Sequence, residues 1–301
     1  MSNDQASSSA VRSFLRLVTI EHSVFALPFA LIGALAAMQA TTGTMAWAEL
    51  LLIIVAMVGA RTFAMAANRI IDREMDAANP RTAQRELVTG AVSVRTANVG
   101  AAVSLVVFLG ACAALNWWCV LLAPLAVAPL IVYPYAKRFT NFPHAILGIA
   151  QFVAPVGAWV AVTASLTSPS PAPAVWLGLA VGTWIGGFDL IYASQDVDFD
   201  RSEGVKSTPA RFGVRNALLA ARFIHVLTLL ALIGFGLTTD CSPWWWAGVA
   251  FTACALAYEP SLVKADDLSR VNRAFFTVNG FVGLGLFAFA LLNFWALGLS
   301  A

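Results

Sequence analysis

Charged residues are scarce in this chain, and their scarcity excludes a soluble globular protein. Only 11% of the 301 residues are charged and 59% are hydrophobic, whereas soluble domains carry about 25% charged residues. Strand-like alternation of polar and apolar residues is also too rare for an outer-membrane barrel. Because every backbone polar group in hydrocarbon must be satisfied internally, spanning helices are the remaining solution. The composition therefore predicts an all-α, polytopic membrane protein.

Cysteine is scarce too, and its arrangement argues against disulfides and thiolate metal sites. The four cysteines form no CxxC pair, and three of them lie inside apolar runs, so they are interpreted as small apolar side chains. The N-terminus is Ser-rich and resembles neither a signal peptide nor an Arg-rich transit peptide, so the first apolar run is expected to be retained. The net charge of +2 says little about partners, and no nucleic acid is expected.

Apolar runs long enough to cross a bilayer, which takes about 20 residues, recur along the chain. Nine spans are predicted from them: 23–40, 46–68, 97–115, 117–135, 144–164, 174–192, 217–237, 244–258 and 274–295. The boundary between the third and fourth spans depends only on Asn116, Trp117 and Trp118. The expected fold is a single domain, residues 1–301, with nine transmembrane helices in a bundle around a central cavity.

The links between the predicted spans alternate in charge, and this alternation predicts an orientation. All 18 Lys and Arg residues fall in the N-terminal segment, in the links after spans two, four, six and eight, or in the helix ends beside them. By the positive-inside rule, that face is cytoplasmic. Nine spans then place the N-terminus in the cytoplasm and the C-terminus outside. The expected location is a bacterial cytoplasmic (inner) membrane.

Two groups of acidic residues lie at the ends of apolar spans on this charged face. Asn68, Asp72 and Asp76 follow one another at spacings of four, which places them on one face of a helix. In the second group, steps of three and four residues place four side chains on one face: Asp189, Tyr192, Asp196 and Asp200. The first group lies at the end of span two, which begins the run of spans two to five. The second group lies at the end of span six, which begins the run of spans six to nine. Two pseudo-repeated bundles, about 20–165 and 174–297, are therefore expected.

The residue types of these motifs favour a site for a metal ion and a phosphorylated substrate. Carboxylates with an amide oxygen are hard ligands that suit Mg²⁺, which commonly bridges to substrate phosphates. Nearby cations such as Arg81 and Lys206 could neutralise phosphate oxygens. Arg61 lies two turns deeper than Asn68, and a charge within a span normally faces a cavity or a partner. A single acidic face with one basic loop would be explained more simply as a network of juxtamembrane charges. Two acidic faces with two basic loops on one side favour a site for a metal ion and a phosphorylated substrate.

The order of these motifs resembles that of the intramembrane UbiA-type aromatic prenyltransferases. NxxxDxxxD at Asn68 is followed by NPRT, YPYAKR, DxxYxxxDxxxD and GxKST, and the resemblance continues to Asn279. It implies nine transmembrane helices around a cavity with a cytoplasmic polar cap, and Mg²⁺ that bridges to a polyprenyl diphosphate. The metal ligands that it implies are Asn68, Asp72, Asp76, Asp196 and Asp200.

The resemblance also implies roles for basic and aromatic residues around the substrate. Arg81, Lys137 and Lys206 stand where the family binds the diphosphate, and Arg61 stands near the reacting ends. Tyr192 could steady an allylic cation through its ring, although an interfacial tyrosine that only packs is the commoner use.

The first span bears on the identity of the acceptor. It reads EHSVFALPF, where the best-known hydroxybenzoate enzymes of the family have a Lys-Pro-x-Gly type segment. His22 is a candidate for binding the acceptor carboxylate, while His144 and His225 are interpreted as structural. The expected function is transfer of a polyprenyl group to 4-hydroxybenzoate or a similar aromatic acid in quinone biosynthesis. The alternative acceptor is 1,4-dihydroxy-6-naphthoate, for menaquinone.

An ion-coupled secondary transporter is the alternative from another functional class. A transporter would need acidic residues near the bilayer midplane and broken helices there. Here the acidic residues cluster at helix ends, and the middle of the spans is nearly uncharged. The distribution of charge therefore favours the enzyme.

Overall fold

The computed structural model describes Leu17, residues 26–273 and residues 277–300. Within them the chain is helical and forms no β-sheet, which confirms the predicted fold class. The long helices of the described residues are Leu27–Thr41 (α1), Trp47–Ile71 (α2), Val94–Leu115 (α3), Trp117–Phe139 (α4), Pro143–Thr163 (α5), Ala172–Ala193 (α6), Val214–Thr238 (α7), Pro243–Leu262 (α8) and Asn279–Ala296 (α9). Short helices in the links lie between several of them.

Seven of these helices are long and apolar enough to cross a membrane, so the chain is a multi-pass membrane protein. The other two are α1, which has only 15 residues, and α8, which contains three tryptophans and the buried Glu259. Each predicted span coincides with one long helix. The count of nine membrane spans stays a prediction, and so does the division into two pseudo-repeated bundles.

The boundary between α3 and α4 is made by one asparagine side chain. The Asn116 side-chain oxygen accepts a hydrogen bond of 3.1 Å from the Cys119 backbone N–H and so caps α4. The Asn116 amide group donates two bonds of 3.0 Å, to the carbonyl oxygens of Val160 and Ala161 near the end of α5. This residue therefore begins one helix and ties it to another, which confirms the predicted break.

The long helices form a closed ring in chain order. Each one contacts the next along the chain, and α9 returns to contact α1. Helix α1 also packs against α5 inside this ring. The part formed by α6–α9 is filled with aromatic side chains, among which Trp184, Phe235 and Trp245 are fully buried. Aromatic pairs such as Phe235 and Trp245, with ring centroids 4.4 Å apart, contribute to that packing beyond the apolar area that they bury.

Glycines allow the backbones of α5 and α6 to approach each other closely. A Cβ atom on Gly182 would lie 2.7 Å from the carbonyl oxygen of Gly148, and the reverse contact would also be 2.7 Å. One turn further on, a Cβ on Gly186 would lie 3.1 Å from the carbonyl oxygen of His144. Small residues at such positions are the usual way in which membrane helices pack. They fix the position of α5 against the end of α6 that carries the second acidic motif.

We expect Gly182→Ala to destabilise the protein because the new methyl group meets a backbone oxygen that cannot move independently. Overpacking of this kind costs about 1–3 kcal/mol, and the midpoint of thermal unfolding in detergent should fall. Gly110→Ala in α3 is the matched control, since a Cβ there has no atom within 4 Å and alanine favours a helix over glycine. An unchanged midpoint for Gly182→Ala would contradict the close packing of α5 on α6.

Candidate active site

The first acidic motif lies where α2 ends. α2 ends at Ile71, Asp72 has φ −91° and ψ 1°, and a short helix, Arg73–Ala78, follows. The motif is therefore divided between the end of α2 and this short helix. Backbone bonds from Asp72 N to Asn68 O (3.0 Å) and from Asp76 N to Asp72 O (2.8 Å) nevertheless keep the four-residue spacing across the break.

The second acidic motif has the same local shape. α6 ends at Ala193, a 3₁₀ turn covers Ser194–Asp196, and a short helix follows from Val197 to Ser202. Asp196 has φ −97° and ψ 8°, close to the backbone angles of Asp72. Each motif thus places one aspartate at the break after a long apolar helix and a second aspartate one turn later, in a short helix.

Ion pairs bring the two motifs together into one polar cluster. Three aspartates each contact a cation from another segment: Asp72 Oδ2 with Lys137 Nζ (2.6 Å), Asp76 Oδ1 with Arg85 Nη1 (2.6 Å), and Asp196 Oδ2 with Arg81 Nη2 (2.5 Å). Arg81 follows the first motif along the chain but binds the aspartate of the second. The predicted convergence of the two acidic faces is therefore seen in the geometry.

The NPRT segment clamps the second motif through several contacts. The Arg81 guanidinium donates a further bond from Nε to Asp196 Oδ1 (2.7 Å), and the Asn79 side-chain amide donates to the same oxygen (3.1 Å). Arg81 Nη1 also donates to the Tyr192 hydroxyl (3.1 Å), and the guanidinium lies 5.3 Å from the centre of that ring. Burial alone would lower the pKa of Arg81, but the hydrogen bonds and charge of Asp196 raise it above its ordinary value.

Asp72 retains one oxygen that could bind a metal ion. The residue is buried, and burial raises the pKa of its carboxyl group although Lys137 opposes that shift. Asp72 Oδ1 is buried and has no hydrogen-bond partner among the described residues. No three His, Cys, Asp or Glu side chains are gathered as a metal cage in the described ranges. Mg²⁺ commonly needs only one or two carboxylates together with substrate phosphates, so the residues present fit this ion.

The GxKST segment lies beside the same cluster. The Lys206 backbone N–H donates to the carbonyl oxygen of Lys137 (2.8 Å), and Lys206 Nζ lies 3.5 Å from the carbonyl oxygen of Phe139. The Ser207 hydroxyl donates to Asp200 Oδ2 (2.6 Å). The segment thereby orients Asp200, and the exposed Lys206 side chain lies at the outer edge of the cluster.

An apolar cavity of about 670 Å³ extends from the polar cluster between the first six long helices. Its size is typical of small-molecule sites. Besides Cys112 and Cys119, the ionisable and amide side chains in its wall are few: Arg61, Asn68, Arg69, Arg85, Tyr133, Gln151, Asp189 and Tyr192. The lining residues end at Tyr192, so α7–α9 contribute none of them. The cavity therefore lies among α1–α6, and its place at the centre of the bundle stays a prediction.

Several polar residues near the cavity were missed as functional candidates. Arg69 and Gln151 line the cavity but were assigned no role from the sequence. Arg69 could have been noticed because it is, like Arg61, a charge in the apolar helix α2. Its buried Nε has no hydrogen-bond partner among the described residues. His144, interpreted as structural, contacts Asp189 Oδ2 through Nδ1 at 2.6 Å. His22, the candidate for the acceptor carboxylate, lies outside the described residues.

Comparison with known sequences identifies a family. The model of the UbiA prenyltransferase family matches residues 26–281. A 4-hydroxybenzoate octaprenyltransferase from Chromohalobacter salexigens is 30% identical over 248 residues, which are 82% of this chain and 80% of that protein. The enzyme of the same name from Xanthomonas campestris is 35% identical over 221 residues, or 73% of this chain and 71% of that protein.

Solved structures show the same fold. The apo structure of a UbiA homolog from Aeropyrum pernix is 34% identical and has a TM-score of 0.82, with 91% of this chain and 98% of that chain covered. A UbiA homolog from Archaeoglobus fulgidus bound to DMAPP and Mg²⁺ is 20% identical with a TM-score of 0.73 and covers 93% of this chain and 98% of its own. At that identity the second likeness shows the fold alone.

We expect Arg85→Met to destabilise the protein because it leaves the buried Asp76 carboxylate without its cation. Breaking a buried pair from one side costs about 3–5 kcal/mol, and this range is an upper bound here because the Arg85 side chain is 25% exposed. Arg95→Met is the matched control, since Arg95 is exposed at the start of α3. Thermal unfolding in detergent measures both, and equal midpoints for the two variants would contradict a stabilising role for the pair.

Proposed function

Because the chain belongs to the UbiA prenyltransferase family and is a prenyltransferase, we propose that it transfers a polyprenyl group from polyprenyl diphosphate to an aromatic acid in quinone biosynthesis. The observation that carries this proposal is the joining of two acidic motifs by ion pairs beside an apolar cavity, whose wall includes Arg85 and Tyr192, the partners of Asp76 and Arg81. The proposed location is a bacterial cytoplasmic membrane, with the polar cluster on the cytoplasmic face, since the Lys and Arg residues lie on that side.

The polar cluster is proposed to bind the diphosphate group. A diphosphate leaves an allylic carbon readily only when the charge on its oxygens is neutralised. Lys137 and Arg81 each contact an aspartate of the cluster, and Lys206 lies at the outer edge of the cluster. These cations can contact diphosphate oxygens when substrate binds, and the bidentate geometry of an arginine suits such oxygens.

Mg²⁺ is the proposed cofactor, and the partly unpaired Asp72 carboxylate supports it. The residues proposed to hold it are Asn68, Asp72, Asp76, Asp196 and Asp200. When bound, the ion supplies positive charge that stabilises the departing diphosphate. The DMAPP- and Mg²⁺-bound homolog from Archaeoglobus fulgidus has the same fold, which is consistent with this assignment.

The apolar cavity is proposed to hold the prenyl chain and to protect the allylic carbon from water. An allylic cation reacts with water, so a water-excluding wall preserves it for the acceptor. Leu125 in α4 and Val58 in α2 both line the cavity, and they are 67% and 38% exposed. A long chain can therefore leave the cavity sideways between α2 and α4, toward lipid.

The aromatic acceptor is proposed to lie deeper in the cavity, between Arg61 and Tyr192. Both line the wall, and the guanidinium of Arg61, whose Nε is buried without a partner among the described residues, is suited to a carboxylate. Tyr192 lies one turn inside Asp196 and can steady positive charge with its ring. 4-Hydroxybenzoate is the first acceptor because relatives at 30–35% identity carry its name, and 1,4-dihydroxy-6-naphthoate is the second.

A membrane assay tests the proposal directly. Membranes containing the protein receive a labelled prenyl diphosphate with Mg²⁺ or with chelator, and the two acceptors are offered in parallel. We expect a prenylated aromatic acid that forms only with Mg²⁺. Absence of product with either acid, from folded protein that binds the diphosphate, would refute the aromatic-acid assignment.

In the same assay, we expect Asp72→Asn and Asp196→Asn each to lower the rate by about 100-fold or more, because several kcal/mol of charge stabilisation are lost. Asp198→Asn is the matched control: Asp198 is exposed in the short helix after Asp196 and should leave the rate near that of the wild type. Size-exclusion chromatography in detergent confirms folding. Near-normal activity in either of the first two variants would contradict the proposed diphosphate site.

We expect Arg61→Met to raise the KM for 4-hydroxybenzoate by about 10-fold or more, because a hydrogen bond to a charged group contributes about 1.5–3 kcal/mol. The KM for prenyl diphosphate should change little, since Arg61 lies about two helical turns from Asn68 and deeper in the cavity. Steady-state kinetics with each substrate varied in turn measures the two constants. A larger change in the diphosphate KM would place Arg61 at the other substrate.

A further inference from the structure

Three side chains from consecutive helices meet at the cavity wall below the polar cluster. They are Tyr133 of α4, His144 at the start of α5, and Asp189 of α6. His144 Nδ1 lies 2.6 Å from Asp189 Oδ2, and the Tyr133 hydroxyl donates a long bond of 3.5 Å to the same oxygen. Tyr133 and Asp189 both line the cavity. Asp189 Oδ2 thus receives both contacts. Asp189 Oδ1 forms no hydrogen bond with the described residues.

The position of Asp189 along α6 separates it from the diphosphate cluster. Asp189 precedes Asp196 by seven residues, and the rise of 1.5 Å per helical residue makes that about 10 Å deeper. Tyr192 lies between them on the same side of the helix and contacts Arg81, which binds Asp196. Asp189 therefore lies beside the space where the reacting carbon and the acceptor ring would meet, and away from the phosphate oxygens.

The contacts of His144 hold this carboxylate in one orientation. His144 is buried, and its Nε2 has no hydrogen-bond partner among the described residues. Among the described residues, Asp189 Oδ2 is thus the polar contact of the His144 ring. The packing of α5 on Gly186 and Gly182 fixes the ring relative to α6. A buried imidazole–carboxylate pair of this kind is suited to general base chemistry.

We infer that Asp189 is the base that removes the ring proton from the acceptor, and that His144 is the residue that positions it. This inference rests on the proposed function, because only transfer to an aromatic carbon releases such a proton. The allylic C–O bond breaks and its electron pair leaves with the diphosphate. A ring carbon then donates a π-electron pair to the allylic carbon. The C–H bond at that ring carbon breaks, its electron pair restores the aromatic ring, and the proton goes to Asp189 Oδ1, which becomes a neutral carboxylic acid.

The test is a kinetic isotope effect, because a structural role for Asp189 would not produce one. Wild type and Asp189→Asn are assayed with labelled prenyl diphosphate, Mg²⁺ and 4-hydroxybenzoate that carries hydrogen or deuterium at the ring positions beside the hydroxyl. Asn keeps the shape of Asp but cannot take a proton. We expect kcat to fall by about 10²–10⁴-fold, the usual contribution of a general base, and a primary deuterium effect larger than that of the wild type to appear. Binding of the labelled diphosphate should be unchanged.

A second variant and a control keep the inference falsifiable if Asp189→Asn does not fold. His144→Gln retains a hydrogen-bond donor but holds the Asp189 carboxylate less rigidly. We therefore expect a smaller fall in kcat than in Asp189→Asn, with a primary deuterium isotope effect of the same size as in that variant. Asp198→Asn makes the same chemical change at an exposed position and should behave as wild type. Folded variants that lose activity without an isotope effect, or that keep full activity, would overturn the inference. Absence of any prenylated acid from the wild type would instead refute the proposed function, and the inference with it.

Discussion

The pairing of aspartates with cations from distant segments is the interaction on which the active-site end of the protein depends. Asp72, Asp76 and Asp196 lie where long apolar helices end, at a depth where an unpaired carboxylate is costly. Each contacts a cation, and the contacts of Arg81 and Lys137 join segments that are far apart in sequence. The pairs therefore organise the cluster as well as neutralise it.

The same pairs suit the proposed chemistry because their members can exchange partners. In the structure, Lys137 and Arg81 neutralise carboxylates. If Mg²⁺ and diphosphate bind as proposed, the carboxylates would hold the metal ion, and Lys137 and Arg81 would contact phosphate oxygens instead. Substrate binding then need not leave a buried charge unpaired. An aspartate without a cation would be costly before substrate binds, and a lysine without an aspartate would be held less firmly in place.

The sequence predicted the helices well because long apolar runs and their polar links are local signals. Asn116 is a case in point: a single polar residue between two apolar runs marked a break that the structure confirms through its capping bonds. The site was predicted as far as spacing within one motif allows. Which cation binds which aspartate was not predictable, since the contact of Arg81 with Asp196 depends on how α6 packs near the end of α2. The break at Asp72 leaves the four-residue spacing of the motif intact, because backbone bonds keep helical spacing on both sides.

The uneven filling of the bundle explains why the cavity and the polar residues are found together. The α6–α9 part is packed with buried aromatic side chains such as Trp184 and Trp245, so it has no room for a substrate and can serve as a rigid support for α6. That helix has α7 packed on one side and the cavity on the other. A rigid helix sets the separation between the residues that it presents, here Asp189, Tyr192 and Asp196 in order toward the surface. In the proposed reaction Asp189 acts on the ring proton, Tyr192 on the allylic charge and Asp196 on the diphosphate, so one well-supported helix sets the distances between all three.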